Sequence, residues 1–539
     1  MSSDRWRTVS GLPLKAVYGP DDLPEHVRAA AATPPGRPPF LRGAYPEMYR
    51  TQPWRIFQLS GYGNPEDERE RIKFLLAHGE TGFLMEHDRN TADHLYNVDH
   101  PEVAARREDV GLSGAVIMGA RDYATVLEGI PIESLYAHPG GAVVQHGPFA
   151  LACYWTEARR RGIHLRQLRG TGQSDFFLTY LGCITRQQIP AAVGLRLNCD
   201  IIEFCTEHMP YWVPVSIAAY NGADTGLNAP QELGALFANA VAYLDGVAAR
   251  GRLDVNDFAR GIGGISMRVS LDLFEEIAKL RAARKMWHDL LAQRYGVTDE
   301  RALRLRIHVV TAGSSMTYQQ PLNNIVRGTL MGLAAVLGGV QSLGVSGYDE
   351  AISIPSEHAH QMSVRVQQIL QHETNITAVA DPLGGSFYME RLTADLEERG
   401  WAFFNELEQQ GGFIAALDSG WLHRKAAENQ LAHERALGDG IRTTVGVNQF
   451  TEDCSPFEVG GFPPIEGVWE QSIQRLHNLR VSRDERAAAQ ALRALDQTCR
   501  GEANIMPAML DAVAADVTLG EIGDVFRERF GDWQVPIQF

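Results

Sequence analysis

Cysteine is scarce and scattered. The six residues Cys153, Cys183, Cys199, Cys205, Cys454 and Cys499, in 539, include no CxxC pair, so the chain has neither the spacing of a zinc site nor a disulfide framework. There is no basic block. Acids and bases are interspersed, the net charge is −16, and neither nucleic acid nor an anionic membrane is an expected partner. No uninterrupted apolar run approaches membrane length, and the opening MSSDRWRTVSGLPLKAVYGPDDLPEH has no apolar leader core. The expected location is the cytoplasm. Repeats are lacking, as are GxSxG, HExxH and Walker loops. RGIGG and RGTGQ fall short of a complete GxGxxG and read as tight packing within strands.

What is present is ordinary globular material, 45% apolar and 22% charged. Residues 1 to about 44 are rich in Pro, Gly and charge and read as an extended arm. Eight β-prone runs follow: GFLMEH from Gly82, GAVIMG from Gly114, SLYAH from Ser134, QLRGTG from Gln167, PVSIAAY from Pro214, DFARGIGGI from Asp257, LRLRIHVV from Leu303 and GGVQSLGV from Gly338. Helical patterns fill the intervals. NPEDERERIKFLLAHG has Asn64 as N-cap, Pro65 in the first turn and Gly79 as the stop. Eight β/α alternations predict an α/β fold of the (β/α)8 TIM-barrel type, with its active site at the C-terminal strand ends; an open doubly wound sheet is the rival. The expected division is an arm over 1–64, a barrel over 65–360 and a helical C-terminal extension over 361–539.

Five stretches in order, YPEMYRTQPW, LFEEIAKLRAARKMW, GVQSLGVSGYDEAISIPSE, DPLGGSFYME and VGVNQF, resemble large-subunit sequences of the methylmalonyl-CoA mutase family from about Arg42 onward. In layout the chain is similar to the isobutyryl-CoA and 2-hydroxyisobutyryl-CoA mutase members. The resemblance implies a radical carbon-skeleton isomerase whose barrel binds an acyl-CoA along its axis. It also implies adenosylcobalamin as cofactor, held against a flavodoxin-like domain. That domain carries a DxHxxG motif whose His ligates cobalt, and the motif is missing here. The resemblance thus implies a separate small cobalamin-binding subunit, a heterotetramer of two large and two small subunits, and no metal ligand in this chain.

Carried over residue by residue, the resemblance places Tyr220 and Asn221 where the family has Tyr-His, the His bonding the substrate carbonyl. An Asn amide still donates to a carbonyl but cannot shuttle a proton. Gln173 matches a Gln facing the substrate. Cys183 replaces the Arg of carboxylated-substrate enzymes, which argues against methylmalonyl-CoA. Leu59 fits an apolar or branched group. Glu86 stands where an Asp contacts a substrate hydroxyl, and is read as receiving a hydroxyl or amine, with a salt bridge to a nearby Arg as the alternative. Asp224 falls where the family has a Glu touching the corrin amides, a carboxylate shorter by one methylene. On the adenosyl side Glu350 matches a Glu that contacts the ribose, and Gln341 and Ser342 also match, while Val310 replaces a Gln. On the arm, near Tyr45, two phosphate-gripping Arg positions are Gln52 and Phe57, and a third falls near Ile262; Arg50, Arg55 and Arg260 are candidate substitutes. Leu84, Tyr136 and His138 stand where small residues leave room for pantetheine, whereas Thr171, Ser216, Ala218 and Ser342 remain small.

Three readings compete. The first is a mutase acting on a carrier-protein thioester, a free small acid or an unusually held acyl-CoA. The second is an ordinary branched or hydroxyacyl-CoA mutase. The third is a catalytically silent scaffold.

Overall fold

Asn64, Pro65 and Gly79 bracket a helix, Pro65–His78, as their chemistry requires. Asn64 and Asp67 form a reciprocal capping box, the Asn64 N–H donating to the Asp67 carboxylate at 2.8 Å, and Gly79 turns left-handed at φ 109°. The computed structural model describes residues 6–182, 188–452, 462–534 and 536; Cys183 and Cys454 lie outside them.

Ten short strands arise from eight stretches of chain: β1 (Arg55–Ile56), β2 (Leu59–Ser60), β3 (Gly82–Met85), β4 (Tyr136–His138), β5 (Arg169–Thr171), β6 (Trp212–Val213), β7 (Ile217–Ala218), β8 (Gly264–Val269), β9 (Arg306–Thr311) and β10 (Ser342–Gly344). They form two five-stranded sheets, ordered β1-β10-β9-β8-β7 and β2-β3-β4-β5-β6. Adjacent strands with a defined register run parallel.

The chain divides into two units. The first comprises Met1–Ile56, Ala218–Ala242 and Gly263–Phe462, and the second Phe57–Ile217, Tyr243–Ile262 and Pro463–Phe539. In the first unit Ile265, Met267, Val269, Ile307 and Val309 are buried, while Ser266, Arg268, Arg306, His308 and Val310 alternate with them and keep partial exposure. A parallel sheet covered on both faces would be apolar throughout. Here one face is polar.

Several expectations need correction. Pairing gives two five-stranded sheets, not a single eight-stranded ladder, because segments 55–60 and 212–218 each split into two strands assigned to different sheets. GAVIMG is not a sheet strand. Only Ala115 bridges to His87, Gly114 sits at φ +144°, and Val116 and Met118 are buried in a cluster with Val468 and Leu476. Periodicity cannot separate such a run from a strand. Two short strands, β1 and β2, lie within the expected arm at 55–60. Asp257 to Ile262 belongs to the helix Val255–Ile262, and Tyr220 and Asn221 to the helix Ala219–Thr225, where the preceding strand has already ended. Beyond Gly344 the described residues add no strand to either sheet. Helices from Glu357–His372 to Trp421–Gly438 lie in the first unit, and those from Val468–Ser482 to Leu519–Phe530 in the second. No helix among the described residues is long and apolar enough to cross a membrane.

The helix Leu273–Asp289 brings a charge cluster into the first unit. Lys279, fully buried, lies 2.6 Å from Glu232 and 2.5 Å from Glu276 and donates to the Arg268 carbonyl at 2.7 Å. Removing one member strands buried charge. Lys279→Met is expected to destabilise the protein by about 3–5 kcal/mol in denaturant unfolding, with partial recovery when Glu232→Gln and Glu276→Gln are added. A loss below about 1 kcal/mol would show that the cluster does not operate as a paired unit.

Candidate functional site

In the second unit, register places Leu59 beside Leu84 and Leu84 beside His138. The pairs Tyr136–Arg169 and Ala137–Gly170 put Thr171 on the next rung beside His138. Phe83, Met85 and Ala137 point the other way and are buried. The face carrying Leu59, Leu84 and His138 is open enough to leave Leu59 48% exposed. Glu86 follows the last residue of β3 and Gln173 lies two residues past the end of β5, so both sit at the C-terminal end of this sheet.

Each is positioned by backbone contacts. The Glu86 N–H donates to Ser60 O at 2.7 Å and its carbonyl accepts from the Ala115 N–H at 2.9 Å. Burial, opposed by Arg89, pushes the Glu86 carboxyl up to about 7. Arg89 is 4.0 Å away but bonds Asp93 at 3.0 Å, so the salt-bridge alternative is present as a distant contact. Gln173 precedes Ser174, which adopts φ +46° and donates to Asn198 at 2.7 Å; Asn198 returns a bond to Ser174 O at 2.6 Å and reaches Tyr243 at 3.1 Å, and Tyr243 donates to Asp175 at 2.8 Å. That network fixes the turn carrying Gln173. His138 accepts at Nδ1 from the Gly140 N–H at 3.3 Å, and burial lowers it to about 4. Beside it, His87 lies 3.2 Å from His146 and 3.2 Å from the Tyr123 hydroxyl. Desolvation keeps both rings neutral. Among the described residues no group of His, Cys, Asp and Glu is arranged to hold a metal.

In the first unit the helix Ala219–Thr225 carries Tyr220, Asn221 and Asp224. Asp224 accepts from Ser314 at 2.7 Å and Arg268 at 3.4 Å, and the Tyr220 hydroxyl bonds it one turn away. Burial and then Asp224 hold that phenol well above its usual range. Glu350 is solvent-accessible, and desolvation by its surroundings, then Asp349 and Asp224, raise its carboxyl. A Cβ at Gly313 would come within 3.2 Å of its Oε1, so glycine there leaves the carboxyl open to approach. The Gln341 amide is engaged by backbone, accepting from Ile307 N at 2.8 Å and donating to Gly339 O at 2.9 Å, which ties β9 to the turn before β10. Ser342 bonds His308 Nδ1 at 2.9 Å and pairs in register with Arg55. Tyr45 lies on the arm, with the Arg304 guanidinium 4.9 Å from its ring centroid.

Comparison with known proteins decides the family. The methylmalonyl-CoA mutase family model matches residues 7–532. The chain belongs to that family. It is 33% identical to the 2-hydroxyisobutanoyl-CoA mutase large subunit of Aquincola tertiaricarbonis, with 98% of this chain and 93% of that one covered. The methylmalonyl-CoA mutases of Cereibacter sphaeroides and Escherichia coli are 34% and 32% identical, and the chain spans 74% and 73% of their lengths. Superposition on the carboxyl transferase domain of Rhizobium etli pyruvate carboxylase gives 12% identity over 88% of this chain and 84% of that one, with a TM-score of 0.25, too low to indicate a shared fold.

Sequence reasoning missed Arg268 and Ser314, which brace Asp224, and Arg304. Nothing local marks them, because their partners are 44, 90 and 259 residues away in the chain.

The raised Glu86 carboxyl gives a pH test. Its folded value near 7 exceeds the ordinary 4.5, so its contribution is fully present below about 4.5 and is lost as pH rises through 7. Glu86→Gln should match the parent's stability near pH 4.5 and exceed it by about 1–3 kcal/mol at pH 8 in denaturant unfolding. A difference that does not grow with pH refutes the buried, raised carboxyl.

Proposed function

We propose that the chain is the large subunit of an adenosylcobalamin-dependent carbon-skeleton mutase acting on a thioester or small acid that is not methylmalonyl-CoA. We read the α/β fold as a (β/α)8 barrel, preceded by the arm over 1–64 and followed by the helical extension over 361–539. A small cobalamin-binding subunit supplies the cobalt ligand, in a complex of two large and two small subunits.

The observation that carries the unusual-substrate reading is the fate of the phosphate-gripping positions. Phe57 is 3% exposed and packs edge-on against Tyr136 at 5.7 Å, and Ile262 is fully buried. Both positions now belong to the core. Each charge-assisted phosphate bond lost removes about 1.5–3 kcal/mol, so coenzyme A is held differently or replaced by another carrier. A second reading, an ordinary hydroxyacyl-CoA mutase, is favoured by the length match to the 2-hydroxyisobutanoyl-CoA mutase large subunit.

When bound, adenosylcobalamin supplies the radical hydrogen abstraction that starts group migration. The chain's residues suit that group. Glu350, kept open by Gly313, offers an acceptor for a sugar hydroxyl, and Asp224, braced by Arg268 and Ser314, offers a fixed carboxylate for amide donors. Tyr220 and Asn221 orient the substrate from their helix. Gln173 and Glu86 present polar groups to the acyl part, and Leu59 and Leu84 exclude water from it.

The test is calorimetric titration of the chain, with adenosylcobalamin and its small subunit, by coenzyme A and short acyl-CoA esters, together with paramagnetic resonance of each mixture. Binding at micromolar strength that falls about 10-fold in Arg55→Ala identifies a rebuilt phosphate grip. A resonance signal that appears only with a carrier-protein thioester or free acid identifies the other carriers. No substrate-dependent signal with any of them overturns the catalytic reading in favour of a scaffold.

A further inference from the structure

His138 is 5% exposed, yet its ring is only half engaged. The Gly140 N–H can only donate, so Nδ1 accepts at 3.3 Å and the ring proton is assigned to Nε2. Burial keeps the ring neutral, which leaves a fixed N–H donor and no second acceptor. The described residues give that Nε2–H no partner.

Its placement says what it faces. Leu84 is the register partner of His138, and Glu86 follows two residues later, one past the end of β3, with its N–H still bonded to Ser60 O at 2.7 Å so that the extended backbone continues to it. Strands about 4.8 Å apart with about 3.3 Å per residue put the two Cα atoms roughly 8 Å apart, close enough for a glutamate and an imidazole to meet at one small group. The floor beside them is Leu59 and Leu84, and the nearest cation to Glu86, Arg89, makes its shorter bond to Asp93. Gly140 completes the arrangement. A Cβ there would strike the His87 ring at 2.5 Å, so this turn, whose N–H fixes the tautomer, has no room for a side chain.

We propose that His138 Nε2–H and the Glu86 carboxyl jointly hold one hydroxyl on the acyl part of the substrate. His138 donates to the hydroxyl oxygen, and the hydroxyl proton points to a Glu86 oxygen. This deepens the mutase reading above and rests on it for the site, but it separates two chemistries that Glu86 alone leaves equal. A hydroxyl donates one proton and accepts another. An ammonium group has no lone pair and meets the Nε2–H head-on. An acyl group without a polar substituent leaves both the N–H and the carboxyl unsatisfied in a poorly solvated place, and sites built to bond a hydroxyl reject its deoxy analogue strongly for that reason. His138 is therefore a specificity-determining residue.

The experiment titrates the full chain by calorimetry, with its cobalamin-binding subunit and adenosylcobalamin, using 2-hydroxyisobutanoyl-CoA, isobutanoyl-CoA and 2-aminoisobutanoyl-CoA. The hydroxy ester should bind at least roughly 10-fold more tightly than the other two. His138→Leu should remove that preference by weakening the hydroxy ester alone, and His138→Gln, whose amide N–H reaches a similar place, should restore part of it. Equal weakening of all three esters by His138→Leu, or no rescue by His138→Gln, assigns the ring to packing and overturns the proposal. If the wild-type complex binds no ester, the CoA-thioester form of the mutase reading fails, and the same three-way comparison with the free acids decides the hydroxyl inference: a preference that depends on His138 upholds it, and equal or absent binding overturns it.

Discussion

The ion cluster around Lys279 is the constraint on which the first unit's functional end depends. Lys279 bonds Glu232 and Glu276, and those three groups grip the backbone on either side of Arg268. Its N–H donates to Glu232 at 3.1 Å, its carbonyl accepts from Lys279, and Ser270, two residues on, donates to Glu276 through both N and Oγ. With its backbone held, the Arg268 side chain can reach Asp224, which also collects Ser314 and Tyr220. Burying two carboxylates and two cations is expensive, and an apolar replacement of the whole set could be as stable. The cluster sets geometry. It carries fixed positions from a buried helix to a carboxylate at the strand ends.

The second unit reaches the same end by another route. Neutral groups dominate there: His87, His138 and His146 are all held uncharged by burial, and the turn of Gln173 is fixed by Ser174, Asn198 and Tyr243. Neutral hydrogen bonds have direction but little long-range field, so this face can orient a bound group without adding charge to it. Glu86 is the exception, and its raised pKa shows how little solvation it receives. One unit thus offers braced carboxylates and the other a mostly neutral polar face.

Much of this was legible in the sequence, and the failures have physical causes. The capped helix Pro65–His78 followed from three residues whose effects are local. Seven of the eight strand stretches overlap a short β-prone run, the one from Asp257 only by its last two residues, because burial on one side imposes alternation. The stretch 55–60 was hidden by its brevity, two residues on either side of a break, within an arm whose composition suggests irregular structure. GAVIMG misled because an apolar run buried by helices looks like one buried in a sheet. Tyr220 and Asn221 were correctly picked out but placed on a strand that ends two residues before Tyr220. The ion cluster could not be foreseen. Glu232, Arg268 and Lys279 are unremarkable in a chain with many charges, and only the fold brings them together.

The altered phosphate grip follows from the same packing logic. An exposed Arg replaced by Gln52 alone could be restored by a single substitution. Phe57 and Ile262 are different, because each fills volume that the surrounding core requires: a Cβ at Gly82 would come within 3.0 Å of the Phe57 ring, so strand β3 runs close against it. Returning an arginine to either place would bury a cation with no partner, at a cost of several kcal/mol. At these two positions the change is built into the core, so a rebuilt grip would draw on other residues such as Arg50, Arg55 or Arg260. On the proposed mutase reading, a substrate carrier binds through groups elsewhere on the arm or without phosphates at all, and recognition then rests more on the acyl end, for which Glu86, His138 and Gln173 are the proposed contacts.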